Sequence, residues 1–261
     1  MSQKINELFQ NARDDGLITQ NSMNALTVAD IGAQIQNALG VSVDDVQASE
    51  AVLVTMMPDD SGSIRFNGNS QVVRDGHNTA LDALLASGQK DNILVHTRYL
   101  NGKVLYPYTS LANTKRMDRR NYNPNEGTPL YDQTIVLLGT VLAKAQDFAD
   151  NGLHVRTVTL IITDGSDQHS VRAKASDVKA LTDDMLATED HIIAAMGIDD
   201  GLTDFNQVFT DMGIRDEWIL TPGNSASEIR SAFNLFSQSA VRASQSVGGF
   251  GNASMGGFGG S

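Results

Sequence analysis

Apolar residues recur in this chain with two different periods. Near the start, Ile5, Leu8, Phe9 and Ala12 fall three or four apart, and Ile31, Ile35, Ala38 and Leu39 repeat that spacing. The spacing predicts two short amphipathic helices joined by a polar stretch. They serve either as a docking arm or as cover for an edge or face of the main domain. From residue 51 short apolar runs alternate with helix-period segments. Strands are expected at 51–57, 92–100, 103–108, 155–163, 191–198 and 217–221, and helices at about 68–87, 129–150, 171–187, 205–212 and 225–243. Such alternation predicts an α/β fold with a doubly wound, mostly parallel central sheet and helices on both faces. Asn101-Gly102 separates two of the strands, and this strong hairpin signal places one antiparallel strand at the sheet edge. Pro129 opens the long helix, where its missing donor costs little.

The expected organisation is a helical extension over 1–49, a main domain over 50–243 and a glycine-rich tail over 244–261. The tail carries too much glycine to pack. Its Phe250, Met255 and Phe258 are either contacts for a partner or for self-association, or part of an inert end.

Composition narrows the function. With 31 acidic residues against 19 basic ones, the formal charge is −12, which argues against nucleic acid or an anionic membrane as partner. A metal ion or a cationic partner is the more natural companion. There is no cysteine, so disulfides and thiolate sites are excluded. The first ten residues lack the apolar stretch of a signal peptide, and no run approaches the roughly 18 apolar residues of a membrane span. A cytoplasmic protein is therefore expected. Lys115, Arg116, Arg119 and Arg120 form a local basic cluster, either an anion site or a solvated loop.

The chemistry concentrates in three polar segments. Asp59, Ser61 and Ser63 follow the first strand; Gly127-Thr128-Pro129 precedes the long helix; Asp164-Gly165-Ser166-Asp167 follows the strand at 155–163. Ligands of open parallel sheets bind outside the carboxyl ends of the strands, so all three can meet at one rim. Carboxylates and hydroxyls without histidine or cysteine suit magnesium, with calcium or manganese as the other hard ions, rather than zinc or copper. An Asp-x-Ser-x-Ser match arises by chance in roughly one chain in twenty of this length. The weight comes from the other two segments standing at predicted strand and helix boundaries.

At these residues the sequence resembles the von Willebrand factor A domain family. "MMPDDSGSI" is similar to that family's first metal-site motif, "EGTPLYDQTI" to its threonine loop and "LIITDGSDQHS" to its aspartate-bearing segment. The resemblance spans about residues 50–243 and implies a metal-ion-dependent adhesion site. Ser61, Ser63 and Thr128 would reach the ion, with Asp59 and Asp164 acting directly or through water. An Asp or Glu of a partner protein would complete the sphere. The extension and the tail depart from the family pattern, and the cysteine-free chain looks more like the stand-alone cytoplasmic bacterial members than like secreted adhesins. Asp60, Asp132 and Asp167 add negative charge nearby, tuning metal affinity, repelling an acidic ligand or simply solvated.

Two other functions compete. The extension, tail or metal site could drive self-assembly, one copy lending a carboxylate to the next copy's ion. A magnesium-dependent phosphotransfer enzyme could use Asp59 or Asp60 as nucleophile or base. Against the enzyme, the chain has no Gly-x-x-x-x-Gly-Lys, no Gly-x-Gly-x-x-Gly opening a helix after a strand, no Gly-x-Ser-x-Gly elbow and no Asp-x-Asp at this position. Of its histidines only His169 lies near the site, and it is expected to be a surface residue.

Overall fold

The computed structural model describes residues 3–27, 31–46 and 50–245. Six strands form one sheet: β1 (Glu50–Pro58), β2 (Ile93–Arg98), β3 (Val104–Ser110), β4 (His154–Thr163), β5 (His191–Gly197) and β6 (Ile219–Leu220). Their order is β3-β2-β1-β4-β5-β6, with β3 antiparallel to β2 and the other pairings parallel. The antiparallel edge strand is where the Asn-Gly signal puts it, and Gly102 turns the hairpin with φ +92°. Strands β2 and β5 are buried at every position, as expected of a sheet covered on both faces.

The helices are α1 (Gln3–Asp14), α2 (Gln20–Thr27), α3 (Ile31–Gln36), α4 (Gly62–Phe66), α5 (Ser70–Leu85), α6 (Leu130–Ala149), α7 (Ala175–Ala187), α8 (Phe205–Asp211) and α9 (Ala226–Gln245). Helices α5 and α9 pack together on one face, whereas α6 and α7 pack on the other. Right-handed crossovers require this arrangement, because β1 connects outward to β2 and β4 connects the opposite way to β5. Between β1 and β4 the chain directions diverge, which opens a crevice at their carboxyl ends.

The first helices form a third layer. Helices α1, α2 and α3 all contact α6, and Phe9, Leu26 and Ile35 are fully buried there. Each such side chain contributes about 1.5–3 kcal/mol of burial. Gly139 of α6 makes the approach possible, since a Cβ there would lie 2.8 Å from Leu26, 3.2 Å from Ile35 and 3.5 Å from Phe9. After α3 the chain runs along the outer edge of β3. The Val41 amide donates to the Tyr108 carbonyl at 3.0 Å, and the Tyr108 amide to the Ala38 carbonyl at 3.0 Å. A free sheet edge is thereby covered. The extension is thus cover, for an edge and for a face together.

Several sequence expectations change. Three helices, not two, precede the sheet; α2 buries only Ser22 and Leu26, too few apolar positions to register as a period. The helix expected from 171 begins at Ala175, because Asp132 captures the amides of residues 171–173. The last strand shrinks to Ile219–Leu220 because Asp216–Trp218 form a single 3-10 turn that buries Trp218. The basic loop is solvated: Lys115, Arg119 and Arg120 are exposed, and Arg116 pairs with Asp82. The tail contacts expected of Phe250, Met255 and Phe258 lie outside the described residues. Among the described residues no helix is long and apolar enough to cross a membrane.

Candidate metal centre

Register brings the three loops level. Pro58 pairs with Ile162 and Thr163 with Gly197, so Asp59 and Asp164 emerge side by side at the crevice. Four of the expected residues form one hydrogen-bonded cluster. The Ser61 and Ser63 hydroxyls lie 2.8 Å apart, and the Asp164 Oδ1 accepts from Ser63 at 2.5 Å and from Ser61 at 3.5 Å. Asp59 accepts from the Ser61 amide at 2.6 Å and from the Thr163 hydroxyl at 2.7 Å. Asp59, Ser61 and Asp164 are all buried.

Thr128, the fifth, is buried on the facing loop and joins through the backbone; its hydroxyl makes none of the bonds linking the other four. Ser61 and Glu126 form an isolated parallel bridge, the Gly62 amide donating to the Glu126 carbonyl at 3.1 Å. The amides of Asn125 and Glu126 donate to the Asp60 carbonyl at 2.9 and 3.0 Å. On its other side, Thr128 donates its amide to His169 Nδ1 at 2.9 Å and accepts from the amides of Gln168 and His169 at 3.1 and 3.3 Å. His169 is exposed, as expected, yet its ring holds Thr128 in place.

Electrostatics mark the cluster as short of positive charge. Burial pushes the Asp59 carboxyl up to about 6, against the bonds from Thr163 and Ser61. Burial likewise pushes Asp60 up to about 7 and raises Asp164. Carboxylates buried with hydroxyls and amides only are costly when ionised, and a divalent cation is the natural remedy. The donor set fits one. Adjacent oxygens of an octahedron at magnesium–oxygen distances stand about 2.9 Å apart, close to the 2.8 Å between the two serine hydroxyls. Among the described residues no three His, Cys, Asp or Glu side chains group as a metal cage, so any ion here would rest partly on neutral hydroxyls.

Other residues escaped sequence reasoning. Asn67 donates to Asp164 Oδ2 at 3.3 Å, and the Tyr122 hydroxyl donates to the Asp59 carbonyl. Asp60 anchors the hairpin by accepting the Asn101 amide at 3.0 Å. Asp132 and Asp167 are neither free charges nor merely solvated. Asp132 accepts amides of Val171, Arg172 and Ala173 at 2.7–3.1 Å. Asp167 accepts the Tyr131 amide at 3.2 Å and the Ser170 hydroxyl at 2.6 Å. Both organise the loop that wraps Thr128.

No protein-family model and no curated protein matches the sequence. Solved structures do match the fold. The pilus adhesin SpaC from Lactobacillus rhamnosus GG, in an open conformation, aligns with a TM-score of 0.54 at 15% identity, over 74% of this chain and 30% of that one. Proximal thread matrix protein 1 from the mussel byssus aligns at 0.51 and 16%, over 74% of this chain and 46% of that one. A second structure of that protein, with a zinc-occupied MIDAS motif, aligns at 0.50 and 17%, over 75% and 47%. The chain therefore spans between 30% and 47% of the length of these structures. With its doubly wound sheet and antiparallel edge strand, the chain has a von Willebrand factor A-like fold.

Proposed function

We propose that this chain is a metal-ion-dependent protein-interaction module. The observation that carries the reading is the convergence of the Ser61 and Ser63 hydroxyls on Asp164 at the crevice between β1 and β4. Ser61, Ser63 and Thr128 would hold the ion, with Asp59 and Asp164 beside it or reaching it through water. Bound magnesium would supply an electrophilic coordination position for an Asp or Glu of a partner protein. Asp59 is fixed by Ser61 and Thr163 and is fully buried, which suits it to holding the loop rather than to nucleophilic attack. The reading is therefore of a binding protein, not an enzyme.

Calorimetric titration with magnesium, calcium and manganese tests the site. Asp59→Ala, Ser61→Ala and Thr128→Ala should each abolish binding while far-UV circular dichroism stays unchanged. Unaltered metal affinity in these variants would show that the ion, if bound, sits elsewhere.

A further inference from the structure

Among the described residues, the large apolar side chains most open to solvent are Leu202 at 94%, Val171 at 85% and Phe66 at 79%. Single exposed apolar residues are ordinary, but these three are not scattered. Phe66 lies in the connection leaving β1, Val171 in that leaving β4 and Leu202 in that leaving β5. Strands β1, β4 and β5 are adjacent and parallel, so all three residues stand at the same rim, on the connections that build or border the candidate metal centre.

The backbone is pinned at two of them, and the third is flanked by a cation. The Val171 amide is fixed on Asp132 at 3.0 Å, and the Leu202 amide on Asp200 at 2.9 Å. The Arg65 guanidinium lies 5.0 Å from the Phe66 ring centroid. The links to the centre are short. Asn67, next to Phe66, donates to Asp164 at 3.3 Å, and Val171 is held by Asp132 in the loop that wraps Thr128. Exposed apolar groups gathered on one functional rim mark an interaction surface.

Charge decides what fits there. Arg65 precedes Phe66 and Arg172 follows Val171, which sets two cations among the acids of this rim, beside the ion that would take a carboxylate. The −12 formal charge of the whole chain disfavours a broadly acidic partner. Resting on the metal-dependent reading above, we propose that Phe66, Val171 and Leu202 form the apolar ring of a docking surface centred on the ion. The occupant is a segment of another protein that presents one Asp or Glu flanked by apolar side chains.

The test is selection of a random displayed peptide library on the immobilised full chain with magnesium present. Selected peptides are then titrated against wild type, Phe66→Ser, Val171→Ser and Leu202→Ser, and magnesium alone is titrated by calorimetry. The expected result is peptides sharing one acid between apolar residues, released by chelator. Each serine variant should weaken them about tenfold with magnesium affinity unchanged. Magnesium binding that persists while the peptides ignore all three substitutions overturns the ring alone. A wild-type chain that binds no magnesium overturns the underlying reading, and the ring proposal with it. Magnesium-dependent self-association lost in the serine variants makes a second copy the occupant and overturns the choice of a different protein.

Discussion

Two clusters of buried polar groups stand at the carboxyl ends of neighbouring strands, and they handle charge in opposite ways. At the end of β2, Arg98 is fully buried. Its Nη2 donates to the Gln34 and Gln133 side chains at 3.1 and 3.2 Å and to the Gly102 carbonyl at 3.3 Å. Burial pushes this guanidinium down to about 10. The acceptors come from α3, α6 and the hairpin, so one buried cation ties three parts of the fold together. One strand away, Asp59 and Asp164 are met by hydroxyls and an amide from the end of β4 and the turn that opens α4, at the crevice rim. A charge whose answering groups all come from packed elements works as a fastening. A charge answered by mobile hydroxyl protons at a crevice remains available to a ligand.

The contrast can be broken from either side. The largest effect is expected from Arg98→Ala, which leaves the buried Gln133 and the half-buried Gln34 and Gly102 acceptors unanswered and a cavity behind. Urea denaturation should show a loss of about 3 kcal/mol, with Arg98→Met recovering part of it by filling the space. If Arg98→Ala cost no more than Asp164→Ala, the two clusters would not differ as described. Next in size is the effect of the ion. Magnesium at a hundred times its dissociation constant should stabilise the wild type by about 2.7 kcal/mol, and Asp164→Asn should remove that gain while leaving metal-free stability within about 1 kcal/mol of wild type. Thermal denaturation with and without chelator measures both.

The smallest effect sharpens the role of the threonine loop. A Cβ at Gly127 would lie 3.0 Å from the His169 ring, the same ring that accepts the Thr128 amide. Gly127→Ala should therefore displace His169 and weaken magnesium binding a few-fold, with stability changed by less than about 1 kcal/mol. Calorimetry against the wild type reads the first and urea denaturation the second.

How much of this was legible beforehand follows from how far each interaction reaches along the chain. Asp59, Ser61 and Ser63 announce themselves because their spacing is local, and the antiparallel edge because Asn101-Gly102 is a two-residue signal. The roles of Asp132, Asp167 and His169 are not local. Asp132 acts on amides about 40 residues away, and nothing in its neighbours distinguishes it from a solvated acid. Trp218 delays the start of its strand for a similar reason, since burial of its indole, not propensity, sets the local backbone. The buried Arg98 was invisible because an arginine near a hairpin reads as an exposed charge until Gln34 and Gln133 are brought against it.

The packing of the first helices on α6 also sets an order of events during synthesis. Helix α1 ends at residue 14 and α6 begins at residue 130, so the surface that receives Phe9 does not exist when Phe9 leaves the ribosome. At ordinary elongation rates the wait is on the order of ten seconds, long compared with the microseconds a helix needs to form. Throughout it the apolar sides of α1 and α3 face water or a chaperone. The outer layer therefore closes only after a helix that begins at residue 130 has been made.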